Sequence, residues 1–349
     1  MPRTHHLRVA QLSEPIRLDR YVASLSELGL SRTQVEHLID AGHLFLEGKV
    51  ATAKRMLRGG EEIHLTIPDS ATALHITPEA IPLDVVYEDE FLAVVNKAVG
   101  MVTHPGAGVH SGTLVNALLH RFGTLPLLSQ TAPDDPPDDD EEISPSDAIS
   151  QALAANRPGL VHRLDKNTSG LLLVARTEQV LRSLQEQMAR REIHREYLAL
   201  VIGNLAETAG TIEAPIGRSP RDRKKMGVVA NGREAITHYE MIERFTWADL
   251  LRVNLQTGRT HQIRVHLSYI KHPIFGDPEY GGREQRSKGL FATHRAQAMR
   301  LLHLLPAQAL HAAKLSFIHP VKKTEMVLEA SIPEQFEKVL EDLRKTAKA

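Results

Sequence analysis

Residues 159–175 read GLVHRLDKNTSGLLLVA: an apolar entry at Leu160 and Val161, a polar turn from His162 to Gly170, and an apolar exit from Leu171 to Val174. The entry and exit read as two strands, and Asn167, Thr168, Ser169 and Gly170 are residues suited to reversing the chain between them. That places Asp165 at the mouth of the turn, between Arg163 and Lys166. Neighbouring cations favour the ionised carboxylate and offset its desolvation, so Asp165 is a candidate for a charged oxygen nucleophile at neutral pH. A turn aspartate making only local hydrogen bonds fits the same spacing.

Outward from this turn, DVVYEDEFLAVVNK, EYLALVIG, DLLRVNLQ and KLSFIHP read as strands, while TLVNALLHRF, VLRSLQEQMARR and HQIRVHLSYI read as helices. They do not alternate regularly as in a doubly wound parallel sheet, so the expected class is α+β with a mixed, chiefly antiparallel sheet. Phe336, Val339, Leu340 and Leu343 recur at helical spacing and predict a terminal helix over 333–349. Nearer the start, Leu18, Tyr21, Val22 and Leu25 predict one helix, and Val35, Leu38 and Ile39 predict a second behind Ser31 as N-cap. Alternating HLFLEGKV and EEIHLTI then predict small antiparallel strands around Gly48 and Gly59-Gly60. The boundaries that follow are a small domain at 14–76, a Pro-punctuated linker at 77–82 and a larger domain at 83–332.

Composition narrows the chemistry. The chain has 349 residues and no cysteine, which excludes disulfides, thiolate metal sites and a cysteine nucleophile. No apolar run reaches the ~18 residues of a membrane span, and the first residues lack a signal-peptide pattern, so a cytoplasmic protein without a membrane partner is expected. The formal charge of −1 conceals a split: Pro133 to Asp147 carries eight acids and no Lys or Arg, which leaves +7 on the rest. This Pro- and acid-rich run, in an insertion at about 130–156, reads as solvated and mobile, projecting away from any anion-binding cleft. Positive charge clusters in GRSPRDRKKMGVVANGR, residues 217–233, with Arg218, Arg221, Arg223, Lys224 and Lys225. A solvated loop and a phosphate-contacting arm both fit that cluster. No P-loop, dinucleotide fingerprint, GxSxG elbow or HExxH occurs; His261, His266, His272 and Asp277 are close in sequence, but no metal or other cofactor is expected.

HRLDKNTSGLLLVA resembles the signature of the RluA family of pseudouridine synthases. NKAVGMVTHPGAG (96–108), REYLALVIG (195–203), TGRTHQIRVHLSYIKHPIFGDPEYGG (257–282) and LHAAKLSFIHP (310–320) match further family blocks in the same order. IRLDRYVASLSELGLSRTQVEHLIDAGHLFLEGKV with the closing GGEEIHLTIP resembles the S4 RNA-binding domain, with Arg32, Lys49, Lys54, Arg55 and Arg58 as the matching basic candidates. The resemblance implies an S4-like domain before a pseudouridine-synthase domain. Asp165 would be the catalytic aspartate, Arg163 the residue filling the space of an extruded nucleotide, and Tyr197 the aromatic packed on the target base. Arg264 would pair with the carboxylate, and Leu310, with Ile263, would line the pocket. Isomerising uridine needs no cofactor. The implied partner is RNA, ribosomal RNA above all, free or within an assembling large subunit, and the chain is expected to act as a monomer. Helical periodicity adds that Ile263, Leu267 and Ile270 face the core and set Arg264 to one side, towards a cleft. Two alternatives stand: a non-catalytic RNA-binding or ribosome-assembly factor on the same fold, and a glycosidase, for which no second carboxylate has a comparable setting.

Overall fold

A computed structural model describes residues 3–347 apart from 13, 26–27, 29, 31–34, 37, 40–41, 68–75, 106–108, 110, 127–157, 223–224 and 284–291. The acidic insertion, Ser31, Arg32, Arg223 and Lys224 therefore lie outside the described residues. The chain divides into two compact units, the second beginning at Ile76.

In the first unit, β1 (Arg3–Arg8) and β2 (Ile16–Arg17) precede α1 (Leu18–Ser24), followed by β3 (Leu44–Leu46), β4 (Lys49–Val50), β5 (Met56–Leu57) and β6 (Glu62–Ile67). Four strands form an antiparallel sheet in the order β1-β6-β3-β4. The β3–β4 connection is the two residues Glu47 and Gly48, both with positive φ (51° and 71°), the backbone that a two-residue hairpin matched to strand twist requires. Strand alternation sends Leu44, Ile63 and Leu65 to one face, where they pack with Leu18, Val22, Val35 and Ile39. The first helix and the hairpin expected from the sequence are present, and the expected second helix lies largely outside the described residues.

The second unit contains β7 (Asp84–Glu88), β8 (Leu92–Lys97), α2 (Leu114–Phe122), β9 (Ser169–Ala175), α3 (Glu178–Ala189), β10 (His194–Ile202), β11 (Ala209–Glu213), β12 (Ile216–Arg218) and β13 (Met226–Val228). Then come β14 (Ile236–Arg244), β15 (Ala248–Leu255), α4 (Gln262–Tyr269), α5 (Ala292–Leu302), β16 (Leu310–Ile318), β17 (Glu325–Glu329) and α6 (Glu334–Ala347). Among the described residues, nine strands form one sheet, ordered β11-β14-β15-β10-β16-β9-β8-β7 with β17 on β16. Every neighbour pair is antiparallel except β9 with β16, so the expected mixed, chiefly antiparallel α+β fold is observed.

The long apolar run at 171–174 follows from position. β9 lies near the sheet centre and all seven of its residues are buried, so no polar alternation is needed. Leu171, Leu173 and Val94 pack against Val180, Leu184 and Met188 of α3, while Leu200, Trp247 and Phe275 pack with Leu301 of α5 and with Phe336 and Leu340 of α6. The expected entering strand at Leu160–Val161 is corrected to a single bridge, Leu160 with Val174. Gly159, at φ +68°, explains this: an added Cβ there would meet the Ala175 carbonyl at 2.6 Å, so the chain crosses too sharply and too closely to extend a ladder. The stretch at 77–82 is tied to α2, with Glu79 N donating to Asn116 O (3.0 Å) and Asn116 Nδ2 to Thr77 O (2.8 Å).

Candidate active site

The turn that carries Asp165 is fixed from beneath. Lys97, only 1 % exposed at the end of β8, donates from Nζ to the carbonyls of Ala98 (3.1 Å), Met101 (2.8 Å) and Lys166 (3.1 Å). Gly100 N donates to the same Lys166 carbonyl (2.9 Å), Thr103 Oγ1 to Leu164 O (2.6 Å), and Thr168 N to Asp165 O (3.1 Å). Behind the turn, Gly170 has φ +115°, and a Cβ there would stand 2.3 Å from the Ala312 carbonyl oxygen, so only glycine lets β9 approach β16 at this point. Burial lowers the Lys97 ammonium to about 7, against an opposing pull from Asp165.

Above the turn, Asp165 accepts a hydrogen bond at Oδ2 from Arg264 Nη1 (3.1 Å). Arg264 is itself held on its other edge: Nε donates to Asp277 Oδ2 (2.7 Å), Nη2 to Asp277 Oδ1 (3.1 Å), and Nη2 also to Glu279. The guanidinium carbon lies 4.8 Å from the Tyr280 ring centroid. Asp277 is fully buried and accepts the backbone N–H groups of Glu279 (2.8 Å) and Tyr280 (3.1 Å), so its orientation is set before the arginine arrives. Arg264 is 4 % exposed, while its carboxylate partners Asp165 (19 %) and Glu279 (41 %) reach solvent and Asp277 does not. Burial pushes the Asp165 carboxyl up, but His261, Arg264 and Arg163 together bring it below the usual carboxylate range. His261 is depressed by its own burial, so Arg264, charged at every relevant pH, is the cation that keeps Asp165 ionised at neutral pH. Burial also disfavours the charged guanidinium, yet Asp277 and the other carboxylates outweigh it and raise Arg264.

An open cavity lies over Asp165 and is lined by Arg163, Arg195, Tyr197, Ile263 and Leu310 as well as Arg264. The sequence-predicted Asp165, Arg163, Tyr197, Ile263, Arg264 and Leu310 thus converge from the 163–168 turn, β10, α4 and the start of β16. Tyr197, Leu310 and Ile263 are each 4 % exposed and form apolar wall. Burial raises the Tyr197 hydroxyl, which stays protonated at neutral pH.

Two details differ from the sequence reading. Lys166 is exposed and contributes its carbonyl rather than its charge, and α4 is buried at every position from Gln262 to Leu267, Arg264 included, so a single apolar face understates its burial. His266 is bonded to Thr237 and to the Ala214 carbonyl and His272 to the Ile202 carbonyl, while Asp277 serves Arg264.

Several contributors carry no distinct sequence signal. His261 takes a left-handed conformation (φ 57°) at the start of α4, its Nε2 3.9 Å from Asp165 Oδ2 and its Nδ1 2.8 Å from the Tyr280 hydroxyl. Arg195 lines the cavity with its Nε buried and without a hydrogen-bond partner. Asp277 was visible only as one acid among nearby histidines. Of the basic candidates, Lys49, Lys54, Arg55 and Arg58 are exposed in the first unit. In the second, Arg218 belongs to the β12–β13 hairpin, Arg221 is exposed in its loop, and Lys225 reaches the Glu279 carbonyl at 3.4 Å. The hairpin also joins the site through Met226 N, which donates to the Tyr280 hydroxyl (3.2 Å).

Comparisons with known proteins agree with this arrangement. The family model described as RNA pseudouridylate synthase matches residues 91–269, and the S4 domain model matches 16–63. The chain is 41 % identical over 345 residues to the ribosomal large subunit pseudouridine synthase D of Xanthomonas campestris, covering 98 % of this chain and 94 % of that protein. It is 39 % identical to the protein of the same name from Escherichia coli O6:H1, covering 94 % and 90 %, and 37 % identical to the uncharacterized RNA pseudouridine synthase YlyB of Bacillus subtilis, covering 94 % of each. Among solved structures, human RNA pseudouridylate synthase domain containing 4 shares the fold with a TM-score of 0.50 at 24 % identity, covering 75 % of this chain and 93 % of that one.

Proposed function

The chain belongs to the RNA pseudouridylate synthase family, enzymes that isomerise uridine to pseudouridine, and on that premise we propose that it modifies ribosomal RNA of the large subunit with Asp165 as the catalytic carboxylate. The observation that carries the reading is the Asp165–Arg264–Asp277 chain: a carboxylate kept ionised by a buried, doubly anchored arginine and presented to a cavity with one apolar wall.

The reaction breaks the bond between C1′ and N1 of uridine, turns the uracil and forms a bond between C1′ and C5. The C5 proton leaves and N1 takes one up, so atoms balance with no oxidant, reductant or net water. What the protein must supply is a place for an extruded nucleotide and a fixed negative oxygen against it. Extrusion costs a few kcal/mol, least where the base is already unpaired. Tyr197, Leu310 and Ile263 form the surface on which the base packs, and Arg163 fills the space it vacates. Asp165 acts on the nucleoside, and Arg264 positions it. Phosphate contacts from the exposed cations of the first unit and from Arg218, Arg221 and Lys225 offset the extrusion cost without reading the base.

The test is direct. Large-subunit ribosomal RNA transcript is incubated with wild type and with Asp165→Asn, and pseudouridine is mapped chemically. Product with wild type and none with the variant, both still binding RNA, is the expected result. Equal product from both would remove Asp165 from the chemistry, and product from neither with binding intact would favour a binding factor on this fold.

A further inference from the structure

The solvent face of the first unit's four-stranded sheet carries a row of rings. His6 of β1 is the direct partner of His64 of β6, His64 is opposite Phe45 of β3, and Phe45 is opposite Val50 of β4. Directly opposed residues share a face, so this is one line of side chains across all four strands in their spatial order. All four residues are exposed, Phe45 at 36 % and Val50 at 62 %. The His6 and His64 ring centroids are 4.3 Å apart at an interplanar angle of 66°. With neighbouring strands ~4.8 Å apart, the three rings span roughly 10 Å. The opposite face of the same strands is already filled by Leu44, Ile63 and Leu65, so the ring row contributes nothing to the core.

We propose that this face is a stacking platform for unpaired bases of the RNA substrate, a binding surface additional to the catalytic cavity and resting on the reading that the substrate is RNA. Rings standing on an open sheet offer π-faces to any base, and a polyanion needs cations beside them to neutralise its backbone. Arg8 stands on the ring face of β1, two residues from His6, and the first unit exposes further cations at Lys49 on the edge strand β4, at Lys54 and Arg55 before β5 and at Arg58 after it. Among the described residues, Lys49, Lys54 and Arg58 are in no ion pair, which leaves their charge for phosphates, while Arg55 acts electrostatically on Glu61. Of the acids nearby, Glu47 accepts the backbone N–H of Glu62 (2.7 Å), Glu61 accepts those of Arg58 and Gly59 (2.7 Å each), and Glu62 stands on the ring face directly opposite Arg8. Two apolar side chains among histidines, threonines and charges make too little dry surface for a stable protein interface, while alternating rings and cations suit a single strand.

The probe is the unstructured oligonucleotide (CA)6, with fluorescence anisotropy on the full chain. Phe45→Ala and His64→Ala should each weaken binding by about 5- to 150-fold, since stacking contributes roughly 1–3 kcal/mol per base. Phe45→Trp supplies a readout that loss of stability cannot mimic: binding is retained, and the introduced tryptophan is quenched by the oligonucleotide, with wild type as the blank because the native Trp247 is buried. Unchanged affinity in Phe45→Ala, or an introduced tryptophan indifferent to RNA, overturns the platform. A wild-type protein that converts uridine yet ignores (CA)6 overturns the platform and leaves the proposed function standing, whereas a protein that does neither removes both.

Discussion

Replacing Arg264 by Gln isolates what the guanidinium does for Asp165. The two side chains meet at 3.1 Å, with charge centres near 4 Å, where an effective dielectric of ~20 gives an attraction of about 4 kcal/mol. That is an upper figure, because Asp165 is 19 % exposed and Arg163 and His261 remain beside it. With burial less opposed, the Asp165 carboxyl moves up from its lowered position. If the ionised carboxylate is the active form, as proposed, activity disappears from the acid side. Wild type should hold its single-turnover rate from pH 5.5 to 8, whereas Arg264→Gln should lose rate towards the acid end of that range, with the plateau itself lowered about 100-fold by lost positioning. Removing the cation also strands the buried Asp277, at about 3–5 kcal/mol of stability. The companion variant carries Arg264→Gln with Asp277→Asn; it should recover most of that stability by denaturant melting and keep the shifted pH profile. An Arg264→Gln enzyme whose rate is as flat with pH as wild type would refute the claim that this arginine keeps Asp165 charged.

Two further outcomes follow from the support beneath the turn. The Lys97 ammonium has a folded pKa of about 7, below its unfolded value, so the unfolded chain binds more protons between the two and stability climbs with pH there; wild type should gain about 2 kcal/mol over Lys97→Met between pH 7 and 9 in urea titrations, and a pH-independent difference would contradict it. Gly170→Ala forces a Cβ to 2.3 Å from the Ala312 carbonyl at φ +115° and should lower the unfolding free energy by about 3 kcal/mol or more by denaturant titration, a loss under 1 kcal/mol showing that β9 and β16 can part cheaply.

The sequence is legible wherever a signal is local. The apolar run at 171–174, the ring of strand-like segments and the amphipathic terminal helix each report their environment within a few residues, and each forms the expected element. Glu47-Gly48 announces its hairpin for the same reason. Asp277 is a different case: its significance lies in two bonds to a residue 13 positions away and in complete burial, neither of which leaves a pattern in composition or periodicity. Arg264 was expected beside a cleft because helical spacing assigns it a side, but spacing cannot say that a second layer, the β12–β13 hairpin with Tyr280, covers that side as well. Lys97 is harder still, since a lysine closing a strand reads as a solvated end until two carbonyls of the turn that follows it and a third from the distant 163–168 turn are seen to converge on it.

The geometry explains why an arginine, and not a lysine, fits position 264. Three carboxylates surround it, and the guanidinium divides them by edge: Nε and Nη2 form a fork onto Asp277, leaving Nη1 directed at Asp165. The fork fixes the plane, so the direction of Nη1 is determined by a contact remote from the cavity. A lysine would bring the same charge as a single point, and the fully buried Asp277, with no water to compete, would draw it away from the partly exposed Asp165. Charge alone would then be conserved while the carboxylate lost its orientation. The same division explains the order of burial from 0 % at Asp277 through 4 % at Arg264 to 19 % at Asp165: the doubly bonded end is sealed, and the end proposed to meet a nucleoside faces the cavity.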